Sequence, residues 1–577
     1  MSTVTIGVIV ALVVYGIFVF VISARATKKT GSSSGEYLVA GRNVGTITLI
    51  ATLALSIWSA LAFYGYGAGL YRGGIGYWIG AMGACFVGFF APNVMYRLWM
   101  LGKEYNYQTP GDFFNHRYNS RAYTLLVSII LVICTIPYIS VQITGVANGI
   151  STTTEGNIGF WVAVFILIAY MYLHVLGGGN KAVVGTDLFA AIVGMAIAII
   201  TTIVFIKAAA GGGLTAAAEK IIADGNRDVL FVTGDYRNWV YSLGLSISAG
   251  ISIIVWPHIF IRSFMAKGEQ NFRVMAAAFP ILELIAFGCF LLQGIYAGRY
   301  AYPALEGAAS DNVIPTIALN YAPWILCVFL VIGVFAFGLS TADSQLVVAS
   351  SIVTNDMLRK DTTTEEDNIK KKNAIILTII MVIVVVVTYF RPPFLVTYAY
   401  GFCAPGFAQL MPAVFGGLYW KRGNKQGAIV GTIGGMAAVL ITMFGANPIP
   451  LLQPILWGLI VNTILYVIVS LATQPDQRAI DEIVVPQRNF FASRNTKGHI
   501  VLLVLYAVVF VQAHIVGPVL PSDTLVFGWM APTLFNYVLC AFELCVLGIL
   551  YGRNRLYEPD GSKKEFGPFC PERKKIQ

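Results

Sequence analysis

Fifteen stretches of roughly twenty residues run through this chain almost without charge, and that recurrence leaves few folds open. Crossing the hydrocarbon core of a bilayer takes about 20 mostly apolar residues. A backbone in lipid must satisfy its own polar groups, and a helix does so within one segment. The stretches are 4–23, 45–70, 75–99, 122–148, 157–176, 182–207, 239–265, 274–298, 323–356, 373–390, 395–420, 426–445, 451–473, 499–517 and 524–551. An all-α polytopic membrane protein of about 15 transmembrane helices is expected. Only 11% of the 577 residues are charged, and the mean hydropathy of +0.73 agrees.

Lys and Arg residues set the expected orientation, because they accumulate on the cytoplasmic side. With the N-terminus outside, 31 of the 38 Lys and Arg fall after odd-numbered stretches, on one face. The other face holds Arg72, Lys207, Lys220, Arg227, Arg237, Arg299 and Arg391. A missed odd span would erase that asymmetry. The N-terminus is therefore expected outside and the C-terminus inside, in a plasma membrane. The net charge of +10 is then mainly a topological signal that meets anionic headgroups, not a nucleic-acid footprint. The first stretch follows no Lys or Arg and no small-residue cleavage site accompanies it, so a retained helix is expected.

Cysteine and histidine argue against redox or metalloenzyme chemistry. Seven of the eight Cys sit inside apolar stretches, where a lone Cys serves as a small filler. The five His show no paired spacing for haem or metal. No soluble domain of useful size stands between the stretches. The longest outer loop, 208–238, contains a short helix, 214–223, bounded by Gly213 and Gly225; it either covers an outer vestibule or lies passively on the surface. The inner loop 359–373 is charged, and the tail from Tyr551 is polar.

Stretches two to six and seven to eleven form two blocks of five. Five is odd, so the blocks run in opposite senses. The first helix of each block is interrupted: Ser56-Ile-Trp-Ser59 then Tyr64-Gly-Tyr-Gly-Ala-Gly69 in one, Ser246 to Ser252 then Trp256-Pro-His258 in the other. Interruptions at matching places in two halves mark discontinuous helices around a midplane site. Pro257 removes a backbone donor and gives the second break a cause. The glycines from Gly65 to Gly76 suit close helix packing and a tight outer turn; no strand precedes them, so they make no nucleotide loop.

The densest polar run inside an apolar stretch is Ser340-Thr-Ala-Asp-Ser-Gln-Leu346. An Asp at the centre of a span costs about 2.5–3.5 kcal/mol, so such a run holds an ion or a solute. Phe337, Ser340 and Thr341 share a helix face, offering a carbonyl and two hydroxyls to an alkali cation. For each hydroxyl alone, a bond back to the preceding turn is the competing reading. Asp187, near the inner end of its stretch, either lines an ion exit path or takes a proton, or else caps a helix start. Arg262, four residues after His258, either gates an anion or snorkels to headgroups. Gln142 makes either a helix–helix hydrogen bond or a solute contact. Glu283 lies mid-span, whereas Glu543, outside both blocks, suits a structural or partner role.

At these residues the chain resembles a sodium:solute symporter over about residues 35–473. The likeness rests on Glu36-Tyr-Leu-Val-Ala-Gly-Arg42, Thr109-Pro-Gly-Asp-Phe-Phe-Asn-His-Arg-Tyr118, Gly177 to Asp187, the Ser340 run with Asn355-Asp356 after it, and Gly417-Leu-Tyr-Trp-Lys-Arg422. It implies a leucine-transporter-type 5+5 inverted repeat with additional N- and C-terminal helices, working by alternating access. The family's sodium site would fall on the carbonyls of Leu55, Trp58 and Phe337 and the hydroxyls of Ser340 and Thr341. Asp187 matches the acid of the fifth core helix, and Asp343 and Ser344 fall where some members place a second sodium. A carboxylate at Asp343 departs from the small residue of sugar carriers and adds a second cation or a proton.

The first sugar-contact position of the family is Ala62 here, and stretch three carries no acid, which counts against a sugar. Pro137-Tyr138…Gln142, Trp256-Pro-His258 and Gln409 to Arg422 look closest to the monocarboxylate and pantothenate carriers. Candidate solute contacts are Ala62, Gln142, Trp256, His258 and Tyr398. The expectation is therefore a carrier rather than an enzyme, with Na+ as coupling ion and a small organic acid as solute. Its partners are that solute, sodium and membrane lipid, and not nucleic acid. The division expected is a first helix and inner loop over 1–44, a transport core over 45–445, extra helices over 446–550 and a cytoplasmic tail over 551–577. A proton-coupled carrier, a carrier of an amino acid or sugar, a transporter-like sensor and a passive channel are the competing readings. A monovalent anion makes two sodium ions attractive, because one alone would leave the membrane voltage unused.

Overall fold

The computed structural model describes residues 1–30, 34–358, 366–390, 399–492, 496–521 and 523–553. Among them every regular element is helical, and β pairing is limited to two isolated bridges, Val44 with Ala266 and Val526 with Met530. Each of the fifteen apolar stretches has a helical counterpart. The helices are α1 (Thr3–Thr30), α2 (Thr46–Ile57), α3 (Leu61–Gly73), α4 (Ile75–Tyr105), α5 (Arg121–Thr153), α6 (Phe160–Leu176) and α7 (Gly178–Ala209). Then come α8 (Trp239–Val255), α9 (Gln270–Ala301), α10 (Trp324–Leu358), α11 (Lys371–Tyr389), α12 (Ala399–Tyr419), α13 (Lys425–Phe444), α14 (Pro454–Ala472), α15 (Lys497–Val519) and α16 (Pro532–Arg553).

The two expected interruptions are backbone breaks. The helices α2 and α3 form one span bent by 55°. At the bend Trp58 leaves the helical region, with φ −79° and ψ 72°. In the second block Trp256 is extended, with ψ 135°, between α8 and the short turns Pro257–Phe260 and Arg262–Met265. Pro257 is the first residue of its turn, where a missing N–H costs nothing. The helices α6 and α7 follow one another with a kink at Gly179, in the first turn of α7, whose φ of +52° a side chain would resist. The fold is the leucine-transporter-type inverted repeat, with α2–α7 and α8–α12 as its halves and further helices at both ends.

Glycine sets how closely these layers meet. A Cβ on Gly250 would stand 2.2 Å from the backbone of Gly83 and Ala84, so α8 and α4 touch main chain to main chain. One on Gly294 would stand 2.2 Å from the Gly67 carbonyl, so α9 and α3 do likewise. The helix Leu214–Ala223 forms as its flanking glycines suggest and buries Ala217, Ala218 and Ile221. The last two helices are bound to the core: Trp78 stacks on Tyr537 at 5.7 Å, and His514 Nε2 pairs with Ser246 Oγ at 2.7 Å. Large apolar residues such as Ile6, Val10, Ile433, Ile441, Val504 and Phe542 are exposed on α1, α13, α15 and α16.

Gly294→Val should lower the melting temperature of the detergent-purified protein markedly, since overpacking costs about 1–3 kcal/mol. Gly288→Ala on the same helix, where an added Cβ meets nothing within 4 Å, should leave it unchanged. Equal melts for the two variants would contradict the close approach.

Candidate ion and solute site

Geometry at the first break decides which backbone oxygens are free. Trp58 N–H donates to Ala54 O at 2.6 Å, but Ser59 N–H turns to Ile57 O at 2.9 Å. The carbonyl of Leu55 therefore loses the donor that a continuous helix would bring. Ala62 N–H goes to the Ser59 hydroxyl at 3.3 Å, which releases the carbonyl of Trp58 in the same way. Buried carbonyls without their helical partner need another polar group.

For Leu55 that group is Thr341. Its hydroxyl lies 2.9 Å from Leu55 O and 3.0 Å from Phe337 O, joining the broken helix to α10. The bond to Phe337 is the back-bond expected of any helical Thr; the bond to Leu55 is not, and it spans two packed layers. Ser340 Oγ donates to Asp187 Oδ1 at 2.6 Å, and Thr52 Oγ1 donates to Asp187 Oδ2. Asp187 is fully buried nine residues inside α7, so the helix-cap alternative fails: its partners are hydroxyls on α2 and α10.

Arg262 is 1% exposed, which overturns the snorkelling alternative. Its Nε reaches Thr52 O at 3.1 Å, Nη2 reaches Ser344 Oγ at 2.9 Å and Thr52 Oγ1 at 3.2 Å, and Nη1 bonds to His258 O. The Thr52 hydroxyl thus accepts from the guanidinium and donates to the Asp187 carboxylate, linking two buried charges through one oxygen. Asp343 Oδ2 pairs with His174 Nδ1 at 2.5 Å, while Asp343 Oδ1 has no partner.

The solute candidates gather around both breaks. Gln142 Oε1 accepts from Leu61 N–H at 3.4 Å, at the start of α3, and leaves the buried Nε2 without a partner. Tyr138, one turn earlier on α5, packs edge-on against Trp256 with ring centres 5.0 Å apart. Its ring centre lies 6.1 Å from that of His258. Ala62 is buried beside Gln142's contact, and Tyr398 lies outside the described residues. Glu283 accepts from Trp58 Nε1 at 3.1 Å through Oε1, and its buried Oε2 has no partner.

The sequence profile of the sodium:solute symporter family matches residues 37–435. The chain belongs to that family. Sodium is accordingly the coupling ion, and this is a multi-pass membrane symporter. Among similar proteins, the sodium/pantothenate symporter of Haemophilus influenzae is 26% identical over 451 residues, 76% of this chain and 91% of that one. The sodium/proline symporter of Escherichia coli is 24% identical over 447 residues, 73% of this chain and 84% of that one. A solved structure of a Na+-coupled sialic acid symporter, in a substrate-bound outward-open state, superposes with a TM-score of 0.69 at 13% identity. It covers 82% of this chain and 99% of its own.

Three residues of this symporter site escaped the sequence reading. Thr52 stands one turn before Ser56, a signal that was available in the interrupted helix. His174 has no metal spacing to mark it, and its partner Asp343 lies 169 residues away. Tyr138 was visible only within the Pro137…Gln142 motif. Removing the Trp58 donor should leave Glu283 buried and unpaired, at about 1–3 kcal/mol. In a double-mutant cycle, Trp58→Phe with Glu283→Gln should therefore destabilise less than the two single changes added. Additivity within about 0.5 kcal/mol in melting experiments would show that the pair does not interact.

Proposed function

We propose that this symporter carries sodium between α2 and α10, liganded by Leu55 O, Trp58 O, Phe337 O, Ser340 Oγ and Thr341 Oγ1. The observation that carries this reading is the Thr341 hydroxyl held between a carbonyl freed by the break and one on its own helix. Neutral hard oxygens drawn from an unwound helix and its neighbour suit a sodium ion. The ion would tie α2, in the first half of the repeat, to α10, in the second. Asp187 sits behind Ser340 and offers a polar step along an ion path.

The solute proposed is a small carboxylate. Two features support it: the unpartnered amide donor of Gln142, and the N-terminal end of α3, the positive end of a half-helix, with which that side chain bonds. Trp256, His258 and Tyr138 would wall the less polar part of the solute. The pantothenate and proline of the relatives' names both bear a carboxylate. The core proposed is 45–445, with the N-terminus outside and the C-terminus in the cytoplasm, as the 31 basic residues of one face argue.

The test is uptake into proteoliposomes under an inward sodium gradient against choline, with pyruvate, lactate, acetate, pantothenate, proline and glucose as solutes. Thr341→Val keeps the shape and removes the hydroxyl, so sodium should be needed at tenfold or higher concentration for half-maximal uptake. That shift corresponds to about 1.4 kcal/mol. Gln142→Leu should raise the KM of the carboxylate while leaving the sodium requirement in place. Glucose as the carried solute, or a sodium response untouched by Thr341→Val, would refute the respective half of the proposal.

A further inference from the structure

The resemblance in sequence implies a second sodium at Asp343 and Ser344, and the packing around those residues points elsewhere. Ser344 Oγ already accepts from Arg262 Nη2 at 2.9 Å. A sodium ion bound to that oxygen would stand in contact with a guanidinium. Arginine stays protonated in proteins, so the repulsion is permanent. Asp343 has one carboxylate oxygen engaged by His174 and a single oxygen, Oδ1, left over. Sodium takes about five or six oxygens, commonly including carbonyls from unwound helix. Asp343 and Ser344 lie inside the unbroken helix Trp324–Ser351, which frees no carbonyl near them.

Arg262 meanwhile has the contacts that a bound cation would make. Its donors reach the carbonyl and hydroxyl of Thr52 on α2, the carbonyl of His258 and the hydroxyl of Ser344 on α10. Through Thr52 it neutralises Asp187. It therefore joins the two halves of the repeat and balances a buried carboxylate, as a second sodium would.

We infer that Arg262 is a resident cation standing in for a second sodium, and that the symporter binds one sodium ion per chain. The inference rests on the reading of Leu55, Phe337 and Thr341 as the sodium site. Arg262 acts here through charge and position, and the readout is an ion count that a merely structural role would not move.

The experiment is saturation binding of 22Na+ to the purified full-length protein, with the bound ions counted per chain. Wild type should bind one, with a Hill coefficient near one. Arg262→Lys should also bind one. Arg262→Gln keeps amide donors for Thr52 and Ser344 but removes the charge, and it should bind two with a Hill coefficient above one. Two ions in wild type or in Arg262→Lys would overturn the inference, whether or not the Gln variant folds. A Gln variant that elutes and melts as folded protein yet binds one ion would overturn it too. No saturable binding in wild type would overturn the sodium-site reading itself, an outcome distinct from a count of two.

Discussion

The break at Trp58 is the constraint on which the rest of the site depends. A continuous α2–α3 helix would satisfy Leu55 and Trp58 internally and present only side chains to α10. The local turn of Ser59 N–H onto Ile57 O exposes main-chain oxygens at membrane depth. That is tolerable only where protein or an ion covers them. Thr341 covers one of them, Gln142 holds the restart of the helix at Leu61, and Glu283 anchors the Trp58 ring. Each partner comes from a different helix, so the break also fixes how α5, α9 and α10 are set around α2.

Charge balance explains the next layer. Two carboxylates, Asp187 and Asp343, lie fully buried, and each is hydrogen-bonded into a chain of partners: Asp187 to Thr52 and so to Arg262, Asp343 directly to His174. Buried ions are costly unless paired and hydrogen-bonded. Distributing the partners over α6, α7, α10 and the turn after Trp256 makes the pairing conditional on how those elements are arranged. Movement of the first half against the second would strain these links.

Much of this was legible in the sequence, for physical reasons that differ from residue to residue. Span number and the two breaks follow from hydropathy and from Pro257, both local properties. The pairing of Ser340 with Thr341 on one face follows from helical periodicity. What periodicity cannot supply is the partner across the bundle. Asp187 read equally well as a cap because its relation to Thr52 and Ser340, 135 and 153 residues away, is purely tertiary. Arg262 read as a snorkelling residue for the same reason, since its place at the end of a span fits both roles until the neighbouring helices are known.

The number of sodium ions then decides what the solute's own charge can achieve. One sodium crossing about 150 mV gains about 3.5 kcal/mol, and a tenfold gradient adds about 1.4 kcal/mol. With a monovalent carboxylate the voltage contribution cancels, and accumulation can only follow the sodium gradient, about tenfold for a tenfold difference. A zwitterion keeps the whole of about 5 kcal/mol and could be concentrated more than about a thousandfold. A carrier with one sodium and Arg262 as its fixed second charge, as proposed, would suit abundant anions, or carboxylates whose charge is balanced internally. Replacing that guanidinium with a second transported ion would restore the voltage to an anion, at the cost of one more sodium for each solute moved.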